Sequence, residues 1–254
     1  IRNDQVVELI DHVERTHGPK VKFLTFAEIY ERLNQNLLAG HPLRADGGGD
    51  NGVRVLDVNN DGFQDVVVGN AELQQTRIWD PEHARFQTTA FPLPLSEPSQ
   101  CRFGVVHGNG QASLFAQTQD GLRAWTFVEG AWQADMPLAR GLEVDGESLL
   151  FAEPGTDRDL GVRLVDVDGD GSCEVVVAGA ASGRASAKSR VLRFDAGSEQ
   201  WQDTGVALPS HAAFVDESGH DAGLRLVDLD ADAQRFFLFS NEHGFGAYLF
   251  SDWE

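Results

Sequence analysis

The chain has 254 residues, 41% of them apolar, with 20 Lys and Arg against 40 Asp and Glu, a formal charge of −20. That length suits one or two domains with a core of their own. Acidity without a basic stripe argues against nucleic acid as a partner, no stretch of about 18 apolar residues spans a bilayer, and Cys101 and Cys173 alone make no disulfide framework.

The two cysteines either pair or remain buried thiols. The charge is uneven: residues 1–45 hold six basic and six acidic residues, so residues 46–254 carry the whole imbalance. A chain that starts at Ile1, with neither Met nor a signal peptide, reads as a fragment or a processed product.

Residues 1–45 predict a helix, a strand and a helix. Val6, Val7, Leu9, Ile10 and Val13 share one side of Asp4–His17, and Gly18 stops that helix. Lys20–Phe26 reads as a short strand. Thr25 and Glu28 form a capping box, and Phe26, Ile29, Leu33 and Leu37 stripe the helix that follows. Three such elements cannot bury their own apolar faces. The Gly-rich, polar stretch from Asn34 to Gly49 reads as a domain boundary.

Residues 46–254 are organised by a repeat. GVRVLDVNNDGFQDVVVGN at Gly52–Asn70 returns as GVRLVDVDGDGSCEVVVAG at Gly161–Gly179 and, worn, as GLRLVDLDADAQRFFLFSN at Gly223–Asn241. Each copy reads as strand, acidic loop, strand. The gap between the first two loops is nearly double the next, and Cys101–Trp132 fills it with a copy in which HGNGQ replaces the acids. No metal is expected there. Trp79 with Phe86, Trp125 with Trp132 and Phe194 with Trp201 recur at a spacing of seven, as the two strands of a hairpin. The predicted unit is a four-stranded antiparallel sheet, and four units are expected, over 46–97, 98–140, 141–207 and 208–254. Radial sheets of this kind make a β-propeller, while a long sandwich also yields many short strands. By the same spacing, Phe250 lacks a hairpin partner.

The acidic loops carry the chemistry. Asp57, Asn59, Asp61 and Asp65 stand at loop positions 1, 3, 5 and 9, as do Asp166, Asp168, Asp170 and Glu174. Phe63 and Ser172 sit at position 7, where a backbone carbonyl would point inward. Ca²⁺ takes six to eight oxygens at about 2.3–2.6 Å, which this spacing can supply from one turn. An Asp/Asn/Gly turn without an ion uses the same residue types. In the third loop Asp228, Asp230 and Asp232 remain, but Ala233 replaces the glycine and Phe236 stands at position 9, so any site there is weaker. Ca²⁺ is therefore expected at two loops, with the third a lesser candidate. All-oxygen ligands argue against zinc and copper.

The signature D-x-[DN]-x-D-G-x-x-[DE] between apolar strands resembles the FG-GAP/VCBS repeat family, whose members are β-propellers with calcium loops in their blades. The resemblance covers about residues 46–254, and implies a mainly β fold of about four blades after a short α/β segment. Residues 1–45 resemble the C-terminal end of a NodB-type polysaccharide deacetylase domain. That family's metal-binding Asp and His lie in earlier motifs, which this chain lacks; His12 and His17 match none of them.

Other residues give no catalytic constellation. His83, His107, His211, His220 and His243 have no zinc-site spacing, and Gly108-Asn109-Gly110 is followed by neither Lys nor a helix start. Asp50 with Arg54, Asp159 with Arg163 and Asp221 with Arg225 recur as Asp-x-Gly-[VL]-Arg, which reads as an intra-repeat ion pair or as an arginine ring for a ligand. Trp79, Trp125, Trp132 and Trp201 read as packing residues or as a sugar-stacking platform. The functional expectation is a non-catalytic binding or scaffold module of an exported multidomain bacterial protein, acting on a glycan or a sister domain. The alternative is a fragment of a carbohydrate-active hydrolase, or of a larger redox protein of the type that continues into c-type haem domains, with the active site elsewhere.

Overall fold

The computed structural model describes residues 2–93, 100–144, 146–156, 158–179, 189–209, 211–229 and 235–249. Its fold is mainly β, and its sheets are antiparallel. The first sheet runs in sequence order through β1 (Val53–Leu56), β2 (Asp65–Gly69), β3 (Gln74–Asp80) and β4 (Arg85–Ala90). The second takes β5 (Cys101–Gly104), β6 (Ser113–Thr118), β7 (Gly121–Val128) and β8 (Ala131–Ala134). A one-turn helix, Met136–Ala139, and a two-stranded ribbon, β9 (Glu143–Val144) and β10 (Glu147–Ser148), lead to the third sheet. That sheet is β11 (Val162–Val165), β12 (Glu174–Val177), β13 (Arg190–Asp195) and β14 (Gln200–Asp203). In the fourth, the described residues form three strands: β15 (Leu224–Val227), β16 (Phe236–Asn241) and β17 (Gly244–Leu249).

The register makes the four sheets equivalent position by position. Leu56 faces Asp65, Gly104 faces Ser113, Val165 faces Glu174 and Val227 faces Phe236. The HGNGQ stretch is thus the loop of the second sheet, as its place in the repeat predicts. The hairpin aromatics pair directly as Trp79–Phe86 and Phe194–Trp201. In the second sheet the partner of Trp132 is Phe127 rather than Trp125, which faces Ala134. The reason is loop length. The first and third hairpins turn through four residues, whereas Glu129 (φ 51°) and Gly130 (φ 81°) make a two-residue turn with both φ positive, which moves the register by two.

The first, third and fourth sheets begin from one local device. Asp50, Asp159 and Asp221 accept the N–H of Gly52, Gly161 and Gly223 at 2.7–2.8 Å, and each binds the arginine four residues on. The glycine is obligatory. At Gly161 φ is 73°, and a Cβ would stand 2.6 Å from the Gly179 Cα; at Gly52 φ is 67°, and a Cβ would stand 2.4 Å from the Gly69 carbonyl oxygen.

Consecutive sheets pack face to face through apolar clusters. Val58 and Val67 meet Cys101 and Leu114; Val106 and Phe115 meet Val162 and Val175; Val167 and Val176 meet Leu224 and Phe237. A backbone bond repeats beside each cluster: Ala112 N–H to the Val58 carbonyl, Cys173 N–H to Val105, and Arg235 N–H to Val167. Trp132 Nε1 donates to Thr76 Oγ1 and Trp201 Nε1 to the Leu138 carbonyl, each at 2.8 Å across a sheet boundary. Trp201 is 8% exposed, so it packs and cannot stack a sugar. Cys101 and Cys173 are free thiols on neighbouring sheets, and burial pushes the Cys101 thiol up to about 12.

The N-terminal stretch keeps its predicted helices but not its strand. α1 (Asn3–His17) ends at Gly18, and α2 (Phe26–Glu31) starts in the Thr25–Glu28 capping box, with Glu28 N–H bonded to Thr25 Oγ1. Residues 21–25 join no ladder, because among the described residues no strand lies beside them. α1 buries no residue, while Leu38, 1% exposed, seals Val53, Val66 and Val68 on the outer face of the first sheet. Among the described residues no helix is long and apolar enough to cross a membrane.

Candidate cation loops

The loops between the first two strands of the first three sheets share one backbone. Position 4 is left-handed in Asn60 (φ 60°), Gly108 (φ 65°) and Gly169 (φ 78°), and position 6 in Gly62, Gly110 and Gly171. Asparagine tolerates that conformation, which explains why it can alternate with glycine. The turn therefore forms with or without carboxylates, and the side chains decide what it holds.

In the first loop, Asp57 accepts the N–H of Asp61 at 3.2 Å and of Gly62 at 2.7 Å, and Asp61 accepts that of Phe63 at 2.8 Å. Asn59 donates to Asp61 at 3.0 Å. Asp65 is wholly buried and accepts Val58 N–H at 3.0 Å and Trp79 N–H at 2.8 Å. Burial pushes its carboxyl up to about 6, against those two N–H bonds and with the nearby charges of Asp61 and Asp57 adding to the rise. Phe63 lies under Lys20, whose Nζ is 5.4 Å from the ring centre.

The loop of the third sheet is built alike. Asp166 accepts Gly169 and Gly171 N–H, Asp168 accepts Asp170 N–H, and Asp170 accepts Ser172 N–H at 2.7 Å. Glu174, 1% exposed, accepts Val167 N–H at 3.1 Å, and burial pushes its carboxyl up to about 7. One oxygen from each of Asp166, Asp168 and Glu174 lies within 4.8 Å of the others, close enough for one ion to touch all three. The sequence reading missed a fourth member. Arg193 of β13 donates from Nε to Glu174 at 3.0 Å and pairs with Asp168. Its equivalent beside Asp65 is Ile78. The strand register would have exposed this difference, since Arg193 stands one residue before Phe194 as Ile78 stands before Trp79.

The second sheet has Ser113 where the first and third have Asp65 and Glu174, and its loop polarity is spent on an internal network. Asp135 accepts from Thr126 Oγ1 at 2.8 Å and bonds His107 Nε2 at 2.7 Å. In the fourth sheet Asp228 is half-buried at its expected position; Asp230 and Asp232 lie outside the described residues.

The repeated arginines are engaged rather than presented. Arg54, Arg163 and Arg225 bind their own Asp50, Asp159 and Asp221, and the Arg225 bond, then the Gly223 N–H, hold Asp221 at about 2. Arg102, the counterpart in the second sheet, was not singled out in the sequence because its own sheet has no aspartate there; it reaches Asp159 at 3.3 Å and the Val162 carbonyl at 2.8 Å. That pattern favours an intra- and inter-sheet tie over a ligand ring. Between the third and fourth sheets lies a cleft of about 1130 Å³, lined by His211, Asp216, Asp221, Asn241 and His243 among others. The rings of His211 and His243 are 5.1 Å apart at its edge.

No protein-family model matches the chain, and no curated protein matches it. Among solved structures it is similar to the Tc holotoxin pore of Photorhabdus luminescens, with 16% identity and a TM-score of 0.48, covering 80% of this chain and 9% of that one. It is also similar to an Agrocybe aegerita lectin that recognises non-reducing terminal N-acetylglucosamine, with 15% identity and a TM-score of 0.48, covering 82% of this chain and 55% of that one. The chain thus spans a tenth or so of the first and about half of the second.

Proposed function

We propose that this chain is a calcium-binding β-propeller segment of FG-GAP/VCBS type, serving as a non-catalytic binding or scaffold module of an exported protein. The observation that carries the reading is the position-9 carboxylate. Asp65 and Glu174 are buried at the base of loops that already hold Asp57, Asn59 and Asp61, or Asp166, Asp168 and Asp170. Burial of a carboxylate against like charges is costly unless a cation joins them, and Arg193 supplies part of that charge at Glu174. Oxygen-only donors on a tight turn favour Ca²⁺. Successive antiparallel sheets, each sharing an apolar cluster with the next, support the propeller over a sandwich.

The module's partner is a glycan or a neighbouring domain of the same protein. The cleft beside His211 and His243 supports the former, since its amide, carboxylate and imidazole groups suit sugar hydroxyls. Thermal unfolding of calcium-stripped protein, with calcium added back, tests the metal reading. A loop of micromolar affinity in millimolar calcium adds about 4 kcal/mol. A reversible rise in midpoint supports the reading; an unchanged midpoint removes it. Glycan-array binding of wild type and of His211→Ala with His243→Ala then tests the cleft.

A further inference from the structure

We propose that the outward face of the fourth sheet is an interface for one more antiparallel sheet of the same repeat, carried by the same polypeptide. At the centre of each sheet stands one cross-strand pair on the face that looks toward the next sheet: Val67 with Thr76, Phe115 with Ala124, Val176 with Val191, and Leu238 with Ala247. The first three pairs are wholly buried, every residue at 0%. In the fourth, Leu238 is only half-buried and Ala247 is exposed. The residue after the first loop acid tells the same story. Val58, Val106 and Val167 are 0%, 4% and 0% exposed, while their counterpart Leu229 is 60% exposed.

The fourth sheet thus keeps the apolar side chains of an interface that this chain builds three times, and among the described residues nothing covers them. Such a patch marks an interaction surface. What fits it is defined by what fits the other three: a sheet whose first two strands bring apolar side chains at the positions of Cys101 and Leu114, Val162 and Val175, or Leu224 and Phe237. The chain's own first sheet is a poor occupant. Its receiving face, Val53, Val66 and Val68, is already sealed by Leu38. The same seal blocks head-to-tail docking of a second copy. The inference rests on the sheet repeat and not on the cation loops, so a protein indifferent to calcium would leave it standing.

Hydrogen exchange tests it, on the 254-residue chain and on the same polypeptide continued through one further repeat of its reading frame, on the scale of the 62 residues from Asp166 to Asp228. The expected result is exchange at least tenfold slower across β16 in the continued chain, lost again when Leu229→Lys or Ala247→Lys is introduced there. Four results overturn the proposal. Exchange in β16 is the same in both chains, or the reading frame stops short of a further repeat. The 254-residue chain is a dimer that Leu229→Lys dissociates, which makes a second copy the occupant. Or Val55→Cys and Ala247→Cys form a disulfide within a monomer, which closes the ring on the first sheet instead.

Discussion

Replacing Arg193 by isoleucine gives the third sheet the residue that the first sheet has beside Asp65. The guanidinium bonds both Glu174 and Asp168, so its loss leaves a buried carboxylate without its cation. Removing one partner of a fully buried ion pair costs about 3–5 kcal/mol. Two features reduce that figure: the Arg193 side chain is 39% exposed, and Glu174 can take up a proton near neutral pH. A cost of about 1–2 kcal/mol in calcium-free buffer is expected, after discounting for solvent screening. At about 2–4 °C per kcal/mol for a chain of this size, the midpoint falls by roughly 2–8 °C. Calcium should then do more for the variant than for the wild type, because the ion no longer competes with an internal cation. Differential scanning calorimetry in calcium-stripped buffer and in millimolar calcium measures both terms. An equal calcium-induced rise in Arg193→Ile and wild type would refute the idea that the guanidinium occupies the place of an ion.

Further outcomes follow from the same geometry. In calcium-free buffer, Asp65 and Glu174 titrate at about 6 and about 7, above their unfolded values, so the stability they lend is full below about pH 4 and is lost as pH rises through 6 to 7. On the proposed reading calcium would bind the ionised forms, so in its presence the midpoint should rise over the same window; parallel melts at pH 4.5, 6 and 7.5 check the crossing of the two trends. Asp65→Asn keeps the two backbone N–H acceptor contacts only in part and removes the charge, so calcium's effect on the first sheet should fall at least tenfold in affinity by isothermal titration, with the calcium-free fold retained. Gly161→Ala meets both a positive φ and the Gly179 backbone, and should cost more than about 1 kcal/mol by urea melting. Trp201→Phe loses the bond to the Leu138 carbonyl and should cost about 1–2 kcal/mol without altering saccharide binding, since the ring is buried.

Much of the architecture was legible because a repeat reports the same information several times. The strand–loop–strand period located all four sheets, and it assigned HGNGQ to a loop although no carboxylate marks it. What escaped was set by contacts between elements. Lys20–Phe26 has strand-like residues, but a strand exists only where another offers its N–H and C=O groups, and none does here. The Trp125–Trp132 pairing failed because spacing along the chain fixes register only once the turn length is known. Arg102 escaped because its aspartate lies 57 residues on, in the next sheet.

The difference between the loops is the most informative of these misses. The acids in the loops of the first and third sheets look alike in sequence, and the same turn positions hold them. Yet the neighbour that decides their chemistry sits on a different strand: Ile78 in one sheet, Arg193 in the other. A buried carboxylate needs positive charge from some source, and this fold allows that source to be an ion or a side chain at one place in the register. The second sheet takes the remaining option, since Ser113 removes the buried charge and Asp135 with His107 bonds within the sheet. Among the described loops, that of the first sheet holds its buried carboxylate by two backbone N–H groups where that of the third adds an arginine, so on the proposed calcium reading the ion's effect should be read first at Asp65.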